Sequence, residues 1–146
     1  MKTVAELLKL KAQQNQQVHT IGPDQMVVEA LRLMAEKNVG ALPVVKDGAV
    51  VGIVSERDYA RKVVLAGRSS VGTPVRDIMS AKVVTVDTHQ NIDACMNMMT
   101  DGHLRHLPVV VDGQLVGLLS IGDLVKEAIA EQADLIRQLE QYIRGE

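Results

Sequence analysis

The chain has 146 residues and a net charge of −2, from 16 basic against 18 acidic side chains, so it lacks the cationic excess that nucleic acid or an anionic membrane recruits. Hydrophobic residues make up 47%, enough for a substantial interior and too many for a disordered chain, although there is no Phe or Trp and only two Tyr. A single cysteine, Cys95, excludes an internal disulfide framework and a Cys-rich zinc site and fits a reducing compartment. With no long apolar run, and an acid at Glu6 where a signal peptide would stay apolar, the expectation is a soluble, cytoplasmic protein.

In chain order, Val4-Ala5-Glu6-Leu7-Leu8 reads as a short lead-in helix, followed by a Gln-rich stretch, Lys11 to Gln17. Val18-His19-Thr20-Ile21 alternates as a strand does, and Pro23-Asp24 interrupts it. Val27, Ala30, Leu31 and Met34 recur at the helical period, with Asn38 as a stop. The runs Ala41 to Val45 and Ala49 to Val54 flank Asp47-Gly48, a strong hairpin signal because both turn residues adopt positive φ. A second helix follows Ser55, and Gly67 to Pro74 is a small-residue linker.

The whole pattern then recurs. Shifted by 65 residues, Val18–Val64 aligns without gaps on Val83–Ile129, and 14 of the 47 pairs are identical, among them Pro43/Pro108, Gly48/Gly113, Ser55/Ser120 and Asp58/Asp123. Val75-Arg76-Asp77-Ile78-Met79 echoes the lead-in at an offset of 71, so copy one carries about six extra residues. The expected fold class is mixed α/β, two tandem β-α-β-β-α units related by a pseudo-twofold axis, with a long C-terminal helix. The divisions are residues 1–66 for copy one with its lead-in, 67–74 for the linker, 75–130 for copy two, and 131–146 for the helical extension.

The polar feature common to both copies is Gly52-Ile53-Val54-Ser55-Glu56-Arg57-Asp58 and Gly117-Leu118-Leu119-Ser120-Ile121-Gly122-Asp123, where a strand gives way to a helix through Ser-x-x-Asp. One reading is a capping box, in which Ser and Asp exchange hydrogen bonds with each other's backbone. The other is a ligand site: free N–H groups at a helix start attract phosphate, and a carboxylate accepts both hydroxyls of a ribose. Spacing alone leaves both open.

The duplicated unit, the Leu-Pro-Val-Val strand, the Asp-Gly turn and the Gly-h-h-Ser-x-x-Asp ending (h apolar) resemble a tandem pair of CBS domains, a Bateman module, over essentially the whole chain. Within that family the chain most resembles small stand-alone bacterial proteins that contain nothing beyond one such pair. That resemblance implies regulatory binding of adenosyl ligands (AMP, ADP, ATP, NAD or S-adenosylmethionine) in two clefts between the repeats, with no catalytic cofactor. Carried over by motif position, Ser55 with Asp58 and Ser120 with Asp123 hold phosphate and ribose, with Ile53 and Leu118 in the strands just ahead. Adenine falls to His19 with Val39 and Gly40, and to Val84 with Leu104 and Arg105. Ala41 and His106 stand where some relatives place a basic phosphate contact. Arg57 and Arg61 flank the first site, which is expected to prefer more phosphate charge; the second has Ile121-Gly122 and Lys126 and is expected to tolerate a neutral tail or to stay empty.

His103, His106 and Asp101 are too loosely spaced for a metal site, and no metal is expected. Cys95 aligns with Ala30 on an apolar helix face and reads as core. Ile129, Gln132, Ile136, Leu139 and Ile143 keep a 3-4 spacing toward the C-terminus, a coiled-coil-like seam that suggests a homodimer. No nucleophile–base pair, carboxylate dyad or P-loop assigns an acid, a base or an oxyanion hole. The expectation is therefore a non-catalytic sensor with a small-molecule ligand and an unidentified downstream protein. The alternative is a structural or adaptor protein that recruits a partner through its C-terminal helix.

Overall fold

The structure, a computed structural model, describes residues 2–14 and 17–145; of the Gln-rich stretch, Asn15 and Gln16 lie outside the described residues. Helix α1 spans Val4–Gln13 and α2 spans Val27–Lys37; hairpin strands β1 (Ala41–Lys46) and β2 (Ala49–Ser55) follow. A four-residue helix α3 (Glu56–Tyr59) runs into a π-helical turn, Ala60–Val64, and a 3-10 turn, Val75–Asp77, begins copy two. Copy two continues with α4 (Ile92–Gly102), β3 (His106–Val111), β4 (Gln114–Ser120) and the 23-residue α5 (Ile121–Ile143).

Local chemistry repeats with the sequence. Asp47 and Gly48 have φ of 51° and 80°, Asp112 and Gly113 have 52° and 78°, so each hairpin turns on the two positive-φ residues that Asp-Gly supplies. Asn38 and His103 close α2 and α4 in the left-handed conformation. Each hairpin carries one bulge at the same place, between Val44 and Val45 and between Val109 and Val110.

Two sequence expectations are corrected. Val18–Ile21 and Val83–Val86 are not strands: each contributes a single parallel bridge, Ile21 to Val44 and Val86 to Val109. Ile21 N–H donates to Pro43 O at 3.1 Å and Val45 N–H to Ile21 O at 2.9 Å, so Pro43 faces this segment with its carbonyl. On the same side it has no N–H to offer, and the ladder ends there; Pro108 does the same for Val86. The helix after Ser55 is also not a uniform α-helix but changes to π geometry at Ala60.

Each copy has its own apolar core, and the lead-in segments are exchanged between them. Val4 and Leu7 of α1 pack with Ile92, Cys95, Leu107, Leu119 and Leu124 of copy two, whereas Val75 and Ile78 pack with Val27, Met34, Leu42 and Val54 of copy one. The α2 N-terminus donates from Val27 to Thr73 O, and the α4 N-terminus from Ile92 to Lys2 O. Glu127, a buried charge, is neutralised by Lys2 at 2.7 Å. Gly52 lies under Met79 and Gly117 under Leu8, so the exchange is reciprocal. The copies meet along β2 and β4.

Candidate functional site

The ends of the hairpins set the site. Antiparallel pairing places Ala41 beside Ser55 and His106 beside Ser120, so each Ser sits where its strand gives way to a helix, next to the residue opening the partner strand. Both motifs form capping boxes. Asp58 N–H donates to Ser55 Oγ at 3.1 Å and Ser55 N–H to Asp58 Oδ2 at 2.9 Å; in copy two the corresponding distances are 3.1 and 2.9 Å. The caps fix the position of each carboxylate at a helix start, where the backbone dipoles favour an anionic ligand.

A cavity of about 800 Å³ lies between the repeats, within the usual range for a small-molecule pocket. From copy one it is lined by Val18, Val39, Gly40, Ala41 and Leu42, with Gln17, His19 and Asn38 among them. From copy two it is lined by His106, Leu118, Ser120 and Asp123, with Lys11 reaching over from α1. Lys11 Nζ donates to Asp123 Oδ2 and to Leu118 O, each at 2.7 Å. Lys37 also lines the cavity. Burial works against ionisation of Asp123, but the Lys11 and Ser120 hydrogen bonds outweigh it and hold its carboxyl below the usual carboxylate range. Burial pushes His106 below its ordinary value; Asp123 opposes the shift and Lys11 and Arg105 add to it.

Of the sequence-derived candidates, His19, Val39, Gly40, Ala41, His106, Leu118, Ser120 and Asp123 converge on this cavity, from both copies. Ile53, Ser55, Asp58, Val84, Leu104 and Arg105 do not line it; the 65-residue repeat makes them the counterparts of its lining residues, whereas Arg57, which also lies outside it, corresponds to Gly122 and has no such counterpart. Val84 and Leu104 pack against the copy-two core, and Arg57 and Arg61 are exposed. Asp58 Oδ1 lies 3.5 Å from Lys62, which also donates to Ile78 O at 2.9 Å.

Sequence reasoning missed Lys11 and placed Lys126 beside the second site instead; Lys126 is exposed and does not line the cavity. The only signal for Lys11 was that it opens the extra segment of copy one, and its contact is 112 residues away along the chain. Among the described residues, no three His, Cys, Asp or Glu side chains are grouped to hold a metal ion, and no helix is long and apolar enough to cross a membrane. Cys95 is buried, which pushes the pKa of its thiol up.

The CBS-domain family model matches residues 14–65 and 75–130. The mitochondrial CBS domain-containing protein CBSX3 of Arabidopsis thaliana is 42% identical over 127 residues, covering 84% of this chain but 62% of the plant protein, so this chain spans less than two thirds of that relative. CBS domain-containing protein YhcV of Bacillus subtilis (strain 168) is 34% identical over 117 residues, 80% of this chain and 83% of its own length. Among solved structures, a protein with CBS domains from Burkholderia ambifaria MC40-6 superposes with a TM-score of 0.84 at 52% identity, covering 90% of this chain and 96% of that one.

Proposed function

The chain belongs to the CBS-domain family, as a tandem pair of its repeats, and on that premise we propose that it is a non-catalytic sensor that binds an adenine nucleotide in the cleft between those repeats. CBS pairs are generally regulatory, signal-transduction modules rather than enzymes.

The observation that carries the reading is a cavity lined by residues of both copies. The apolar side chains of Val18, Val39, Ala41 and Leu42 in its lining suit a flat heterocycle. The lining also includes a carboxylate, Asp123, which a helix cap holds in place and which offers the acceptor oxygens that a ribose diol requires. Two lysines, Lys11 and Lys37, line the cavity against one aspartate, which favours a ligand with negative charge. A nucleotide that prefers one arrangement of the repeats over another shifts their equilibrium by that difference in affinity, which is how such a module signals.

The test is a melting-temperature screen with AMP, ATP, NAD and S-adenosylmethionine. Occupancy at a hundred times the dissociation constant stabilises by about 2.7 kcal/mol, several degrees in a domain of this size. At least one compound raises the melting temperature of wild type and raises that of Asp123→Asn far less. No shift with any of them overturns the proposal and favours an adaptor role, for which the specific observation is the exposed apolar stripe of α5 at Ile129, Ile136, Leu139 and Ile143. As part of the proposed assembly, that stripe is the seam of a homodimer.

A further inference from the structure

The two copies are covered differently at the edge of the cleft. In copy one, extended chain after the 3-10 turn runs beside β2, where Ile53 N–H donates to Ser80 O at 3.0 Å and Ser80 N–H donates to Ile53 O at 2.8 Å. The matching residue in copy two is Leu118, and its carbonyl accepts a side-chain ammonium, Lys11 Nζ at 2.7 Å. The difference follows from the lead-ins. The one before copy two is a three-residue 3-10 turn, Val75–Asp77, whereas α1 continues for ten residues, Val4–Gln13, and carries Lys11 into its last turn. The extra segment of copy one therefore replaces a strand-like backbone contact with a cation that lines the cavity.

We propose that Lys11 is the residue that sets this cleft's ligand charge, admitting nucleosides that carry a phosphate in preference to neutral ones. The inference rests on the nucleotide-binding reading of the Asp123 cleft. Lys11 and Asp123 form a partly buried pair, 20% and 22% exposed, so neither charge is fully solvated and neither can be cheaply left alone. A ribose that sets one hydroxyl on each carboxylate oxygen places one of them on Oδ2, which already accepts Lys11 and the Ser120 N–H. A neutral nucleoside that takes this oxygen strips the ammonium of its anionic acceptor and offers nothing in return. A nucleotide brings a phosphate as the replacement, and the four-carbon lysine stem lets the ammonium follow it. The ion pair thus penalises uncharged ligands and spares charged ones.

The experiment is calorimetric titration of the full chain with AMP and with adenosine, for wild type, Lys11→Gln and Lys11→Arg. Wild type binds AMP more tightly than adenosine; Lys11→Gln lowers that affinity ratio by roughly tenfold or more, and Lys11→Arg stays near wild type. The ratio is the readout because a loss of folding stability alone weakens both ligands together. An unchanged ratio in Lys11→Gln, with both ligands still bound, overturns the role of Lys11 and leaves the nucleotide reading intact. Wild type that binds adenosine as tightly as AMP overturns it without reference to any variant, should Lys11→Gln fold poorly. Folded wild type that binds neither compound overturns the nucleotide reading, and this inference with it.

Discussion

At the scale of the residue, Asp58 and Asp123 are helix caps and, in the proposed function, ribose contacts, two roles that spacing alone could not separate. Each accepts a backbone N–H from its Ser at 2.9 Å, which is a helix cap, and each lies in the first turn of the following helix, where the family resemblance puts a ribose contact. The roles separate by substitution. Asp123→Ala removes both, costing about 0.5–2 kcal/mol of folding stability through the cap and about 30- to 150-fold in nucleotide affinity through the lost charge-assisted bonds. Asp123→Asn retains an oxygen for Ser120 N–H, so its denaturation midpoint stays nearer wild type while its affinity falls as far. Equal affinity of wild type and Asp123→Asn would leave Asp123 as a cap alone. His106 makes a second test at this scale. Its folded-state value is depressed, chiefly by burial, so the folded chain prefers the neutral ring. The resulting stability is complete above the unfolded value of about 6.5 and is lost as pH falls below it. His106→Gln should accordingly flatten the decline in melting temperature between about pH 7 and about pH 5.5. Ser55, Asp58, Ser120 and Asp123 were legible because duplication marks them. Lys11 was not, because it reaches its partner across the exchange of lead-ins, which neither motif encodes.

At the scale of the element, local signals carried furthest. Asp47-Gly48 and Asp112-Gly113 fold as the hairpin turns their chemistry requires, and the helical period over Val27–Met34 and Ile92–Met99 marks α2 and α4. The segment Val18–Ile21 alternates like a strand, yet Pro43 on the neighbouring strand removes the donor it needs. That failure is one of partner, not of propensity. The glycines of the repeated motif test the lead-in packing. A Cβ at Gly52 would lie 2.6 Å from Met79 Sδ and 2.9 Å from the Ser80 carbonyl oxygen, and the backbone cannot step aside. One at Gly117 would meet only the flexible end of Leu8, at 2.5 Å. Gly52→Ala should thus cost about 1–3 kcal/mol in urea denaturation and Gly117→Ala clearly less. The reverse order would mean that the Ser80 pairing with β2 is not rigid.

At the scale of the molecule, the exchange of lead-ins makes two units of about 60 residues into one cooperative structure, because each copy's core is completed by chain belonging to the other. Duplication made the two-copy architecture legible; the crossing of lead-ins is a long-range choice that local sequence does not contain. The α5 stripe extends beyond both cores, with Ile136 56% and Leu139 53% exposed. If it is the homodimer seam, Ile136→Asp with Leu139→Asp converts a dimer to a monomer in sedimentation equilibrium; a wild-type monomer would contradict the assembly.

The central claim, that a nucleotide lies between the copies with its sugar on Asp123, is tested most directly by a crystal structure of the chain grown with AMP. Ribose hydroxyls are expected within hydrogen-bond distance of the Asp123 carboxylate, with the adenine against Val39–Leu42. AMP bound elsewhere, or a cavity that stays empty with Lys11 still on Asp123 at saturating AMP, would contradict it.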